Sequence, residues 1–129
     1  MTKPVKNELD ELVLLSGLTS RVEPVLFGIN LVLTVLASIL VVRQRNAILP
    51  VMEEFDLQIS RFAELALSPG AAAILPVLGV VGIAVHFSKL ALKTKVRLHW
   101  AHFVIILVLT GGFVATTIPL LTKLIQQLE

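Results

Sequence analysis

Three long stretches of the chain contain no Asp, Glu, Lys or Arg, and shorter polar segments separate them. Residues 24–42 form an uncharged run of 19 residues, residues 71–88 one of 18, and residues 101–122 one of 22. As helices rising about 1.5 Å per residue, these runs measure about 27 to 33 Å, close to the hydrocarbon thickness of a bilayer. A soluble helical bundle should instead show a polar face on each helix. We therefore expect three transmembrane helices, at residues 24–42, 70–88 and 101–122.

The segment between the first two runs has a different pattern. Residues 46–68 read NAILPVMEEFDLQISRFAELALS, with apolar residues at alternating spacings of four and three. This spacing places them on one stripe of a helix whose other side is mostly acidic. Helices that lie in the membrane interface usually have a polar face rich in Lys and Arg, so the acidic face favours docking on protein over binding to anionic lipid. Two interpretations stay open: a docking surface for another subunit, and a connector that shields its apolar stripe on the membrane surface. The apolar stripe consists of Ile48, Met52, Phe55, Ile59, Phe62 and Ala66.

These elements together predict an all-α integral membrane protein with three transmembrane helices and one extramembrane amphipathic helix. The composition agrees, since 56% of the residues are hydrophobic and the mean hydropathy is +0.90. The absence of cysteine excludes disulfides and thiolate chemistry. The N-terminus lacks the basic region and cleavage site of a signal peptide, so we expect none to be removed. The remaining segments are an N-terminal segment at 1–23, a basic loop at 89–100 and a C-terminal tail at 123–129.

The distribution of basic residues predicts the orientation. The N-terminal flank and the 89–100 loop, which three spans place on one side, carry seven Lys and Arg, whereas the opposite side carries four. The side with more Lys and Arg is normally cytoplasmic. We therefore expect a cytoplasmic N-terminus and a C-terminus on the opposite side. The net charge of +2 does not indicate a nucleic-acid partner, because the basic residues that produce it flank the predicted spans.

Each predicted span also carries small or polar residues on one face. Small residues allow close backbone approach between membrane helices, and polar side chains hydrogen-bond across such interfaces. We expect these faces to pack against other helices of the chain or of partner subunits. The residues concerned are Asn30, Thr34 and Ser38 in the first span, Gly79 and Gly82 in the second, and Gly111, Gly112, Ala115 and Thr116 in the third.

Three histidines, His86, His99 and His102, are the only residues with plausible ligand chemistry. They permit a haem- or chlorophyll-type pigment as an alternative. We expect no metal site, because no acidic residue lies near them in the sequence. No grouping of Ser, His and carboxylate occurs at one predicted depth, so we expect neither an enzyme nor a bound cofactor.

The order of features resembles the membrane portion of inner-membrane platform proteins of type II secretion systems and type IV pili. The resemblance covers residues 24–68, through VEPVLFGINLVLTVLASILVV and ILPVMEEFDLQISRFAELALS, and Pro50, Phe55 and Ser68 match that pattern. The family's cytoplasmic domains would be reduced here to the N-terminal segment and the basic loop. Its Leu-Pro-x-x-Thr-like element is replaced by LQISRFAEL. The resemblance implies a bacterial inner membrane, three spans, an internal N-terminus and a scaffolding role in assembly.

The sequence as a whole favours a non-enzymatic structural or assembly subunit of a multi-subunit membrane complex. Its expected partners are membrane lipid and other membrane-protein subunits, with no nucleic acid. Two alternatives stay open: a pigment-binding or haem-binding subunit that uses the histidines, and a self-associating pore or small-solute carrier. A pore would need a water-lined polar face, and only the first span approaches one.

Overall fold

The protein is built from four helices that follow one another along the chain. A computed structural model describes residues 3–56 and 58–128, and it contains no strand in those ranges. The helices are α1 (Lys3–Glu54), α2 (Arg61–Ala66), α3 (Pro69–Phe87) and α4 (Leu92–Leu128). Three of them, α1, α3 and α4, are long and apolar enough to cross a membrane. The prediction of an all-α chain with three such helices is confirmed.

The first helix is much longer than the predicted first span. Its 52 residues, at about 1.5 Å each, extend over about 78 Å, more than twice the roughly 30 Å of a bilayer's hydrocarbon core. It joins the predicted N-terminal segment, the first span and the beginning of the predicted amphipathic helix into one element. Asn46, where the amphipathic helix was predicted to begin, therefore lies inside α1, as do Pro24 and Pro50.

The amphipathic helix predicted over residues 46–68 is not one element. α1 ends at Glu54, and Asp56 adopts a positive φ of 46°, which short polar side chains tolerate better than others. The helix restarts at α2, where the Ser60 hydroxyl accepts a hydrogen bond from the Ala63 amide at 3.2 Å. Local caps and turns of this kind compete with a continuous helix, so they divide the segment.

Local sequence signals also explain where α3 and α4 begin. Ser68 caps α3, its hydroxyl accepting from the Ala71 amide at 3.1 Å, and Pro69 occupies the first helical position, where no backbone donor is lost. α4 begins at Leu92, so most of the predicted 89–100 loop is helical. The residues 92–100 contain no Gly or Pro, and several of them are good helix formers.

The long helices pack around α1. It contacts both α3 and α4 more extensively than these two contact each other. The core between the helices is a mixture of apolar side chains, among them Ala37, Val41, Ile48, Leu75 and Ile106. The outward faces of all three long helices also carry exposed large apolar side chains, including Leu36, Val80 and Val108.

Candidate functional site

A carboxylate and two imidazoles meet at one end of the bundle. Glu23 Oε1 lies 2.8 Å from Nδ1 of His86 and 3.2 Å from Nε2 of His99. The donor atoms of these three residues all lie within 4.8 Å of one another. The three side chains come from α1, α3 and α4, so this cluster connects every long helix of the protein.

The position of the cluster follows from the ends of the three uncharged runs. Glu23 directly precedes the first run, His86 lies next to the last residue of α3, and His99 lies just before the third run. The three long helices bring these ends together at one end of the bundle. The contacts across the cluster confirm that these ends are neighbours in the bundle.

Aromatic stacking and backbone contacts hold the two histidines. The ring of Phe27, one helical turn after Glu23, stacks on His86 with ring centroids 4.0 Å apart and planes 5° from parallel. Lys95 Nζ donates to the backbone carbonyl of His86, and Asn30 Nδ2 donates to that of His99, each at 2.7 Å. The cluster is therefore anchored to its helices through a second set of contacts.

Burial differs across the cluster. Glu23 and His99 are buried, with 6% and 1% of their surface exposed, whereas 24% of the His86 side chain is exposed. A buried carboxylate needs hydrogen-bond donors, and both imidazoles face the same oxygen. An ionised Glu23 accepts hydrogen bonds from both rings in the tautomers that place a proton on His86 Nδ1 and on His99 Nε2. The same three atoms become metal donors if these two protons leave.

The third histidine, His102, does not join the cluster. It is buried beside Gly82, and its Nε2 has no hydrogen-bond partner among the described residues. The cavity next to His99 and His102 has a volume of about 160 Å³, which is too small for a tetrapyrrole ring. The predicted ligand set of three histidines therefore divides: two converge on Glu23, and the third packs against α3.

The polar ridge predicted on the first span serves packing inside the chain. Asn30 and Thr34 are buried, and Ser38 is half-buried. Only Asn30 bonds to another helix, since Thr34 and Ser38 donate to carbonyls four residues earlier on α1. A Cβ added to Gly79 would lie 3.2 Å from Thr34 Cγ2, so the glycine permits the close approach of α3 to α1.

The predicted apolar stripe is divided by the break between α1 and α2. Ile48 and Met52 lie in the core, and Ile59 and Ala66 pack partly against it. Phe55 and Phe62 are exposed, the latter to 80%. Ala63 and Leu67 are buried instead, because α2 restarts with a new helical register.

The small residues of the third span face outward. Gly111, Gly112 and Ala115 are exposed and Thr116 is half-buried. A Cβ on either glycine would meet nothing within 4 Å. Unlike Gly79 and Gly82, these residues are not used in packing between the described helices.

Gly112 and Thr116 line an open apolar groove of about 640 Å³ between α2, α3 and α4. The groove exists because α3 and α4 contact α1 more than each other. The side chain of Phe62, from the predicted stripe, forms part of its rim. Other lining residues are Leu65 on α2, Ile74 on α3 and Val108 on α4.

Sequence reasoning missed Glu23 and Phe27. The prediction of no metal site considered only acidic residues close to the histidines in the sequence. Glu23 is 63 residues from His86 along the chain, but the fold brings the two side chains together. The available signal was that Glu23, His86 and His99 border three runs on the same predicted side. Comparisons with known protein families, with curated proteins and with solved structures found no significant match.

Proposed function

We propose that this protein is an integral membrane protein and a non-enzymatic assembly subunit of a multi-subunit membrane complex. Its α1, α3 and α4 cross the membrane, with the N-terminus in the cytoplasm of a bacterial cell. The groove beside Gly112 receives an apolar transmembrane helix of another subunit.

The outer surface supports the insertion of the bundle in lipid. Large apolar side chains such as Leu36, Val80 and Val108 are more than half exposed. In water, each 100 Å² of apolar surface left exposed costs about 2.5 kcal/mol relative to burial. Exposed apolar surface on every long helix is therefore favourable in a bilayer and unfavourable in solution.

One observation carries the assembly role: the small-residue pair Gly112 and Thr116 lines a groove that no described helix fills. Small residues spaced four apart let a second helix approach closely, and the resulting van der Waals contacts drive association in lipid. Acyl chains need no such small-residue surface. The occupant that fits the groove best is therefore a helix.

The exposed aromatic ring of Phe62 supports the same role. It stands at the rim of the groove at the end where α2 lies. Aromatic side chains are enriched among the residues that contribute most to interfaces. The resemblance of residues 24–68 to the platform proteins of secretion and pilus systems also favours a subunit that holds other membrane proteins together.

The experiment is purification of the tagged protein from its native membrane in mild detergent, with quantification of co-purifying proteins. We expect stoichiometric membrane partners for the wild type and their loss in Gly112→Leu, whose side chain would prevent a second helix from approaching closely. Leu109→Ile conserves volume beside it and should retain them. Ala84→Leu places the same leucine side chain on an exposed position of α3 outside the groove, and should also retain them. A wild-type chain that purifies alone, or equal recovery with Gly112→Leu, would contradict the proposal.

A further inference from the structure

We propose that Glu23, His86 and His99 bind one divalent transition-metal ion, with Zn²⁺ as the ion that fits best. The proposal is independent of the assembly role, because the cluster lies apart from the groove residues Phe62, Gly112 and Thr116.

The spacing of the donor atoms fits a single ion. Zn²⁺ bonds to imidazole nitrogen and carboxylate oxygen are about 2.0–2.2 Å long, so tetrahedral donors lie about 3.4 Å apart. The two distances from Glu23 Oε1 are 2.8 and 3.2 Å. The two ring nitrogens lie within 4.8 Å of each other. Side-chain rotations that bring these nitrogens to about 3.4 Å apart would replace two N–H···O bonds with metal–ligand bonds.

The donor types select the class of ion. Two imidazole nitrogens with one carboxylate oxygen suit borderline transition metals, and this set with one open position is also found in zinc sites. Ca²⁺ and Mg²⁺ require mainly oxygen ligands, and the cluster offers a carboxylate from only one residue. The site therefore discriminates against the two most abundant divalent cations.

The burial of the cluster favours binding of a cation, and its partial exposure at His86 gives an ion access. Glu23 and His99 are buried, and their burial favours neutralisation of the carboxylate by a cation. The partly exposed His86 leaves a path for entry, and its ring is held in place by the stack with Phe27. Water or an outside ligand would complete the coordination.

A bound ion would connect α1, α3 and α4 at one end. Because ions that bind the folded chain stabilise it by mass action, the midpoint of thermal unfolding should rise with Zn²⁺ concentration. Protons compete with the metal for the imidazole nitrogens, so binding should weaken when the pH is lowered from about 7.5 to about 5.5.

The test uses the full chain in detergent micelles, without a polyhistidine tag and after treatment with a chelator. Zn²⁺ is titrated by calorimetry and the bound metal is counted by elemental analysis. We expect one saturable Zn²⁺ ion per chain, and Co²⁺ in its place should give the visible absorption of a four-coordinate site. Glu23→Gln and His86→Gln should each weaken binding by about 100-fold or more, since even outer-shell partners contribute about 10- to 100-fold.

Two matched variants serve as controls. His102→Gln removes the histidine outside the cluster, and Glu53→Gln removes an exposed carboxylate on the same helix as Glu23. Both should bind Zn²⁺ as the wild type does. Circular dichroism checks that each variant is folded, and His86→Gln, at the partly exposed position, remains informative if Glu23→Gln does not fold. Absence of saturable binding, unchanged affinity in His86→Gln, or loss of binding in folded His102→Gln would overturn the assignment.

Discussion

At the scale of single residues, the contact between Gly82 and His102 gives a direct test of the packing of α3 on α4. A Cβ at position 82 would lie 2.7 Å from Cε1 and 2.9 Å from Nδ1 of the buried His102 ring. We expect Gly82→Ala to destabilise the protein by about 1–3 kcal/mol, as overpacked cores do. The measurement is the free energy of unfolding, or the thermal midpoint, of the protein in detergent.

Gly28→Ala is the matched control for this prediction. Both glycines lie in long helices, so alanine brings the same gain of about 1 kcal/mol in helix propensity at both positions. Only at position 82 would the added Cβ clash with another side chain, that of His102, since nothing lies within 4 Å of a Cβ at Gly28. Equal stability of the two variants would show that α3 and α4 do not approach as closely as described.

Individual side chains show where sequence reasoning reached its limit. The spacing of Asn30, Thr34 and Ser38 correctly placed them along one ridge, because helical periodicity is a local property. It could not tell that only Asn30 bonds to another helix, at the carbonyl of His99. The meeting of Glu23 with His86 also depends on long-range packing, which the pattern of residues around either one does not contain.

At the scale of elements, the three apolar helices followed from the sequence, whereas the bounds of the other segments did not. A run of uncharged residues predicts a helix through its length and composition. In the sequence, the apolar spacing over residues 46–68 runs past Asp56 without interruption, so it gave no sign of the break there. Only the capping hydroxyl of Ser60 marks where the second helix begins.

One hydrogen bond from α1 helps to hold α2, together with the packing of Ala63 and Leu67 in the core. Arg45 Nε donates at 2.7 Å to the carbonyl of Leu67, just after the end of α2. Arg45→Met retains an apolar stem but removes this bond, which is worth about 1 kcal/mol at a partly exposed site. Opening of α2 should become about fivefold more frequent, and trypsin cleavage after the exposed Arg61 should accelerate in proportion.

The control for α2 is Arg43→Met, which removes an exposed arginine two residues earlier. It should leave the rate of cleavage after Arg61 unchanged. Limited proteolysis in detergent, followed by mass spectrometry of the fragments, measures both rates. A similar acceleration in the two variants would mean that charge near α2, not the bond to Leu67, controls its opening.

At the scale of the whole molecule, the cluster of Glu23, His86 and His99 and the charge pattern support the same arrangement. The cluster joins the N-terminal flank to the ends of α3 and α4. The same segments hold seven of the eleven Lys and Arg residues. In the proposed topology, three crossings place these segments together on one side of the membrane and the α1–α3 connection and the C-terminus on the other. This arrangement can be tested without reference to any partner or metal.

Because the chain contains no cysteine, a single introduced cysteine would be its only thiol, and labelling of that thiol would report the side of the membrane on which it lies. Suitable exposed positions are Ser16 before the first apolar run, Gln58 between α1 and α2, Thr94 at the start of α4, and Gln126 near the C-terminus. A membrane-impermeant maleimide added to intact cells or spheroplasts should label Gln58→Cys and Gln126→Cys. Ser16→Cys and Thr94→Cys should react only after the membrane is permeabilised, because the side richer in Lys and Arg is expected to face the cytoplasm.

Two outcomes would contradict this arrangement. Labelling of Ser16→Cys and Thr94→Cys in intact cells, without labelling of the other two, would show three spans in the opposite orientation. Equal labelling of Gln58→Cys and Thr94→Cys in intact cells would show that α3 does not cross the membrane.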